Sequence, residues 1–285
     1  MSKGRLHIVL VCHTEADFQG GWGIFEKYQP IIERMIQRVN DATGKELKMT
    51  YCVTGEFIED EIERVWPWIE HGHEIGVHSH ILGGHRHGHS YKPPYDYRED
   101  EGGILNQDRF ARPFRDMLMV QGVPDPVTHV SGMFTFRDTT VRVIEDAGFK
   151  VDCSLLPGIV GKHEATGDFT LCDNRGRASA KPYQPSYGSH CEEGSAKLVE
   201  LPVSGSLGGG DLLTKQAKVL EERLSCNEAV DIFQMFWHHF EFAREEYDWV
   251  KGSLDEAEQF LTLFGRLDSV RFSTAKEAVS DWESH

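Results

Sequence analysis

No stretch of this 285-residue chain approaches the ~20 consecutive apolar residues a membrane-spanning helix needs, so no span is expected. Positive charge is in deficit. Thirty Lys and Arg stand against 46 Asp and Glu, a formal net charge of −16, whereas a nucleic-acid partner calls for a basic face. The six cysteines (Cys12, Cys52, Cys153, Cys172, Cys191, Cys226) include no CxxC pair, and Cys12 and Cys52 lie in apolar runs, where free Cys behaves as a small hydrophobe. The N-terminus MSKGRLHIVLV lacks a small-residue cleavage site and reads as a first strand rather than a signal peptide. Reduced thiols and a cytoplasmic location follow as the expectation. With no internal repeat or linker, and a length that suits one large core, a single domain over 1–285 is expected.

Histidine, by contrast, is plentiful at 15 residues, and two strand-like runs end in it. The run 6–12 (LHIVLVC) leads into His13-Thr14-Glu15-Ala16-Asp17, and 75–77 leads into His78-Ser79-His80. Strands of α/β folds gather function at their carboxyl ends. Neutral imidazole with carboxylate is the usual ligand set for Zn²⁺ and its first-row neighbours. A divalent-metal site is therefore expected and, with an open coordination position, a hydrolase. Any one histidine is more often solvated or hydrogen-bonded than ligating. The His-x-His spacing straight after a β-type run, together with a carboxylate at the first strand's end, is what favours a metal.

Strand and helix signals alternate along the chain. Strands are expected at 6–12, 48–53, 74–78, 128–130, 150–153, 198–203, 232–237 and 270–272. Helices are expected at 25–40, at 58–71 stopped by Gly72, at 107–121, at 139–147 ended by Gly148, and at 254–267. A final helix opens at the capping sequence Ser273-Thr274-Ala275-Lys276-Glu277. Residues 82–107 are Gly, His, Pro and charge without period, so they read as a loop over the site mouth, and 157–196 is a second irregular stretch. Strand–helix alternation repeated about seven times argues for a parallel sheet with crossover helices, and a barrel suits the count better than an open sheet.

Several segments in this order resemble the polysaccharide deacetylases, the NodB-homology fold of carbohydrate esterase family 4. They are the carboxylate-bearing first strand, Tyr-Cys-Val-Thr-Gly-Glu (51–56), His-Glu-Ile-Gly-Val-His-Ser-His (73–80), Ser-Gly-Met-Phe-Thr-Phe (131–136), Ala-Gly-Phe-Lys-Val-Asp-Cys-Ser (147–154), Val-Glu-Leu-Pro-Val-Ser (199–204) and His-His-Phe-Glu-Phe (238–242). The likeness runs over about residues 6–278. It implies a distorted (β/α)₇ barrel, a divalent metal, and hydrolysis of N-acetyl groups from amino sugars. It also implies that His238, at the end of a strand, is the general acid. The chain departs from the family where an Asp base usually ends the first strand, since His13 stands there. His78 pairs with His80 rather than with the +4 position, Leu82, and the 130–132 segment has no Arg, although Arg137 follows.

Glu15, His78 and His80 are the expected metal ligands, with Zn²⁺ first among the metals and Asp17 a further candidate. His13 is either the base that takes the water's proton, setting an acid limb at roughly pH 6 to 7, or a fourth ligand. His239 and Glu241 flank the general acid, and Glu241 can orient it. Trp237 is the expected sugar-stacking aromatic, ahead of Trp22, Trp66 and Tyr95, while His85, His87 and His89 read as part of a solvated lid. The expected substrate is a carbohydrate or small-molecule amide. Two alternatives remain open: hydrolysis of another C–N bond, or a catalytically silent carbohydrate-binding relative.

Overall fold

Residue parity along the first strand, β1 (Arg5–Thr14), sets the architecture. Leu6, Ile8, Leu10 and Cys12 join one apolar cluster and Val9 and Val11 another, so the strand is buried on both faces, as parallel strands between two packed layers are. The computed structural model describes residues 5–16, 21–80, 105–163, 169–226 and 228–285. Along the chain follow β2 (Met49–Val53), β3 (Glu74–Ser79), β4 (Thr128–Ser131) and β5 (Val151–Asp152). Two antiparallel hairpins come next, β6 (Val160–His163) with β7 (Phe169–Asp173) and β8 (Pro185–Ser186) with β9 (Ser189–Glu193). The last strands are β10 (Val199–Glu200), β11 (Val203–Ser206), β12 (Val230–Trp237) and β13 (Val270–Phe272).

The main sheet runs β10-β5-β4-β3-β2-β1-β12-β11 through parallel pairings, with β13 also on β1. Its two edge strands, β10 and β11, are separated in sequence only by Leu201 and Pro202. Val203 donates its N–H to Leu155 O, beyond β5, while its Cα pairs with Gln234 of β12. The chain thus bridges the two sheet edges. Counting 199–206 as one strand broken at Pro202, which has no N–H to give, yields the seven strands of a distorted NodB-type (β/α)₇ barrel. The helices Gly23–Thr43 and Leu254–Gly265 cover the outside. The helix Ala275–Glu283 sets Ala275, Ala278 and Val279 against the interior residues Val9, Val11 and Ile232 and plugs one end. Thr274 caps it in a capping box with Glu277, as expected from the sequence. The opposite end is the one where β1, β3 and β12 finish.

The sequence reading needs four adjustments. The expected helix 58–71 is three pieces, Gly55–Asp60, Ile62–Arg64 and Val65–Glu70. The 157–196 stretch holds the two hairpins, and a helix at Ala217–Ser225 was not anticipated, because only Ala217 and Leu220 of it are buried. Residues 81–104 lie outside the described residues, and with them most of the expected mouth loop. Its end is not a loop, since Gln107 is fully buried and opens a 3₁₀ turn, Gln107–Phe110. Among the described residues no helix is long and apolar enough to cross a membrane.

Candidate metal centre

Three strand ends converge at the end of the barrel opposite the helix Ala275–Glu283. His13 continues the interior side of β1 after Val9 and Val11, and Glu15 lies one residue beyond the strand. His78 is on the interior side of β3 beside Val130 of β4, and His238 follows β12 on the side of Gln234 and Phe236. Glu15, His78 and His80 place a ligand atom each within 4.8 Å of one another, all three buried. His78 Nε2 is 3.3 Å and His80 Nε2 3.7 Å from Glu15 Oε2, and His238 Nε2 is 3.6 Å from Glu15 Oε1. Tetrahedral ligands at bond lengths of about 2.1 Å lie about 3.4 Å apart, so these separations suit a cation such as Zn²⁺.

The expected route to the His78–His80 pairing was a strand that continues through both. Instead β3 ends at Ser79 and His80 folds back, its N–H donating to His78 O at 2.9 Å in a three-residue turn. The two rings meet edge to face, 5.1 Å apart. Gly132 makes room for the fold-back: a Cβ there would lie 2.5 Å from His80 Cγ.

The protonation pattern fits a cation. His78 Nδ1 faces the Val130 carbonyl at 3.1 Å and must donate to it, so on a neutral ring Nε2 presents a lone pair. Glu15 Oε2 and His78 Nε2 are both buried without a hydrogen-bond partner. Two buried acceptors facing each other is an arrangement that a positive ion between them satisfies. Burial works to raise the Glu15 carboxyl, but His80, then His78 and His238, outweigh it and hold it at about 2. Burial pulls His238 down, and the Glu241 carboxylate 3.5 Å from its Nδ1, with Glu15 behind, brings it to a net upward shift. Glu241 is itself fixed by the His238 backbone N–H at 2.9 Å and by close packing on Gly208.

His13 sits among these groups, its ring 4.7 Å from those of His78 and His238 and flanked by Phe134 and Phe236. Burial first, then His238, His78 and His80, push its imidazole well below the usual histidine range. That environment works against protonation of His13, the opposite direction from an acid limb at roughly pH 6 to 7. Its Nε2 is buried without a partner and belongs to the same pocket. Phe134 reaches it from a turn in which Met133 and Phe134 both have left-handed φ, 51° and 55°, a strained pair of the kind found at functional sites.

Two expected residues face the other way. Trp237 is one residue before His238 and therefore on the opposite side of β12, where it is fully buried against Tyr51, His239 and Phe242. It is core, not a sugar platform. His239 is also core, with Nε2 2.8 Å from Gln29 Oε1 and its ring on Phe25; burial and then His238 lower it to about 3. Trp22 is buried, bonding Asp60, and Trp66 packs on the core. The half-buried aromatics at the mouth are instead Phe134, Phe236 and Phe240, the last stacked on His238 at 4.5 Å. Asp17, Tyr95, His85, His87 and His89 lie outside the described residues.

No protein-family sequence model matches this chain, and no curated protein matches it in sequence. The fold does match solved structures. One assigned as a polysaccharide deacetylase from Mycobacterium smegmatis aligns with TM-score 0.57 at 15% identity, over 100% of this chain and 92% of that one. Puue allantoinase gives 0.55 at 14%, over 99% and 92%, and a structure assigned as a polysaccharide deacetylase from Pseudomonas aeruginosa PAO1 gives 0.54 at 12%, over 99% and 92%. Polysaccharide deacetylases are thus among the structures that share this fold, and at these identities the likeness establishes the fold alone.

Proposed function

We propose that this protein is a metal-dependent hydrolase that removes an N-acyl group, acetyl foremost, from an amino sugar or glycan. The observation that carries the reading is the buried Glu15–His78–His80 cluster at the barrel mouth, with two partnerless acceptor atoms directed at one point. Glu15, His78 and His80 would hold a divalent cation, Zn²⁺ first for this mixed N/O set, which would supply Lewis-acid activation of water and of an acyl oxygen. Glu15, ionised well below neutrality, supplies the negative charge. The Val130 carbonyl fixes which nitrogen of His78 faces the cluster. In this reading His238, beside the Glu241 carboxylate, would protonate the leaving amine, and His13 would use its buried Nε2 to orient the attacking water. Phe134 and Phe236 flank the His13 ring with apolar surface.

A second reading keeps the cluster but changes the substrate to another C–N bond. It is favoured by His13, an imidazole shifted toward its neutral form where the polysaccharide deacetylases usually have an aspartate base, and by the allantoinase among the structures that share the fold. Zinc-reconstituted protein assayed for acetate release from chitooligosaccharides, with metal analysis of Glu15→Gln and His78→Ala, separates the outcomes. One zinc per chain in the wild type, marked loss in both variants, and released acetate are expected. Stoichiometric zinc without acetate shifts the reading to another C–N bond or to a silent sugar-binding protein. Undiminished zinc in both variants refutes the centre itself.

A further inference from the structure

On the helix-facing side of the sheet, four strands adjacent in the order β3-β4-β5-β10 each contribute one polar residue to a continuous row: Ser79, His129, Asp152 and Glu200. Register pairs His129 with Asp152 and Asp152 with Glu200, and places Ser79 diagonally from His129. All four are fully buried. Ser79 Oγ lies 2.8 Å from His129 Nε2, and His129 Nδ1 lies 2.6 Å from Asp152 Oδ1. Asp152 also accepts from Ser154 Oγ and Ser154 N, both at 3.0 Å, and Ser154 Oγ accepts from Ser131 N at 2.8 Å. Glu200 accepts from Leu155 N at 2.9 Å, and burial followed by the neighbouring Asp152 carboxylate raises its carboxyl well up.

The Ser–His–Asp order is that of a nucleophile triad, but a fully buried Ser79 meets no substrate. Ionisable groups in a dry sheet are costly, and apolar replacements usually serve stability as well or better. What this row holds is the residue between the two histidine ligands, at the point where the backbone turns to bring His80 back over His78.

We propose that Ser79, His129 and Asp152 are positioning residues: a hydrogen-bond chain entering from behind the sheet locks the 78–80 turn, so that both imidazoles are aimed at Glu15 before a divalent cation arrives. The inference rests on the reading that Glu15, His78 and His80 bind a cation.

The test uses Co²⁺ alone on the metal-free, full-length protein, by calorimetric titration and by the visible d–d absorption of the loaded protein. Ser79→Ala and Asp152→Asn are both expected to weaken Co²⁺ binding by about 10–100-fold, the range for loss of groups that orient metal ligands, and to change the band's shape or intensity. Val279→Ala, buried at the plugged end of the barrel, serves as a destabilised control and is expected to keep the wild-type dissociation constant and spectrum. Having two variants guards against a folding failure in either. Wild-type affinity and spectrum in whichever of the two folds overturn the inference while leaving the metal centre standing. Equal weakening in Val279→Ala also overturns it, because general loosening would then explain the effect. No Co²⁺ binding by the wild type overturns the metal reading, and the inference with it.

Discussion

Replacing Gly132 by alanine should disable the cluster without touching a ligand. The added Cβ would lie 2.5 Å from His80 Cγ, 2.9 Å from His80 Cβ and 2.6 Å from Gln107 Oε1, where ordinary contact begins near 3.4 Å. The imidazole must therefore retreat by about 0.9 Å, or the 3₁₀ turn Gly132–Phe134 must rise by as much. The turn has little freedom to do so, since Met133 and Phe134 are already left-handed and Gln107 Nε2 bonds both Gly132 O and Thr135 Oγ1. Metal–ligand distances tolerate only about 0.2 Å, so a shift of this size should remove His80 from the ligand set and weaken Zn²⁺ or Co²⁺ binding at least tenfold. Overpacking of this kind costs about 1–3 kcal/mol, which for a chain of this size lowers Tm by about 2–4 °C per kcal/mol. Gly188→Ala is the control, because its Cβ would meet only Ser186 Oγ at 3.8 Å; both readouts should stay at wild-type values. Calorimetric metal titration and thermal unfolding of the three proteins decide the matter. Unchanged affinity and Tm in Gly132→Ala would show that His80 does not occupy the position described here.

Two further outcomes follow from the buried face of β12. His239 is neutral in the fold, lowered to about 3 from an unfolded value near 6.5, so the stability it contributes is present above pH 6.5 and is lost as pH falls toward 3. Between pH 7.5 and 5 the unfolded chain gains about 2 kcal/mol from protonating this one residue, and His239→Gln should reduce the pH dependence measured by urea unfolding by that amount; superimposable curves would contradict the burial. Trp237→Ala should cost about 3–5 kcal/mol of unfolding free energy, as expected for a core aromatic, and a loss below about 1 kcal/mol would return Trp237 to the surface.

The barrel was legible because its signals are local and repeated. Short apolar runs alternate with helical periods, the capping box before 275–283 announces the last helix, and Gly72 and Gly148 stop their segments with φ of 76° and 93°. The illegible parts depend on partners distant in sequence. The 198–203 run reads as one strand, yet its halves pair with β5 and β12 at opposite sheet edges, and only closure of the barrel reveals the break at Pro202. The hairpins within 157–196 are short and carry bulges, so neither shows a period of two for long.

For the site, parity explains both what the sequence reveals and what it misleads about. Strand ends at His13, Glu15 and His78 can be picked out because ionisable residues stop apolar runs there. The same period of two excludes Trp237 from any site that contains His238, since successive residues face opposite sides of the sheet. The row Ser79, His129, Asp152 and Glu200 leaves a fainter trace, polar residues in short strands whose other positions are also largely buried. Taken singly, each looks like an exposed position or a strand end. Only the sheet order makes them neighbours, and only the turn at Ser79 connects them to the candidate metal ligands. The row backs the His78–Ser79–His80 turn whatever residue stands at position 13. Because its proposed role is to aim those two imidazoles, metal affinity, before turnover, is the measurement on which this centre should be judged.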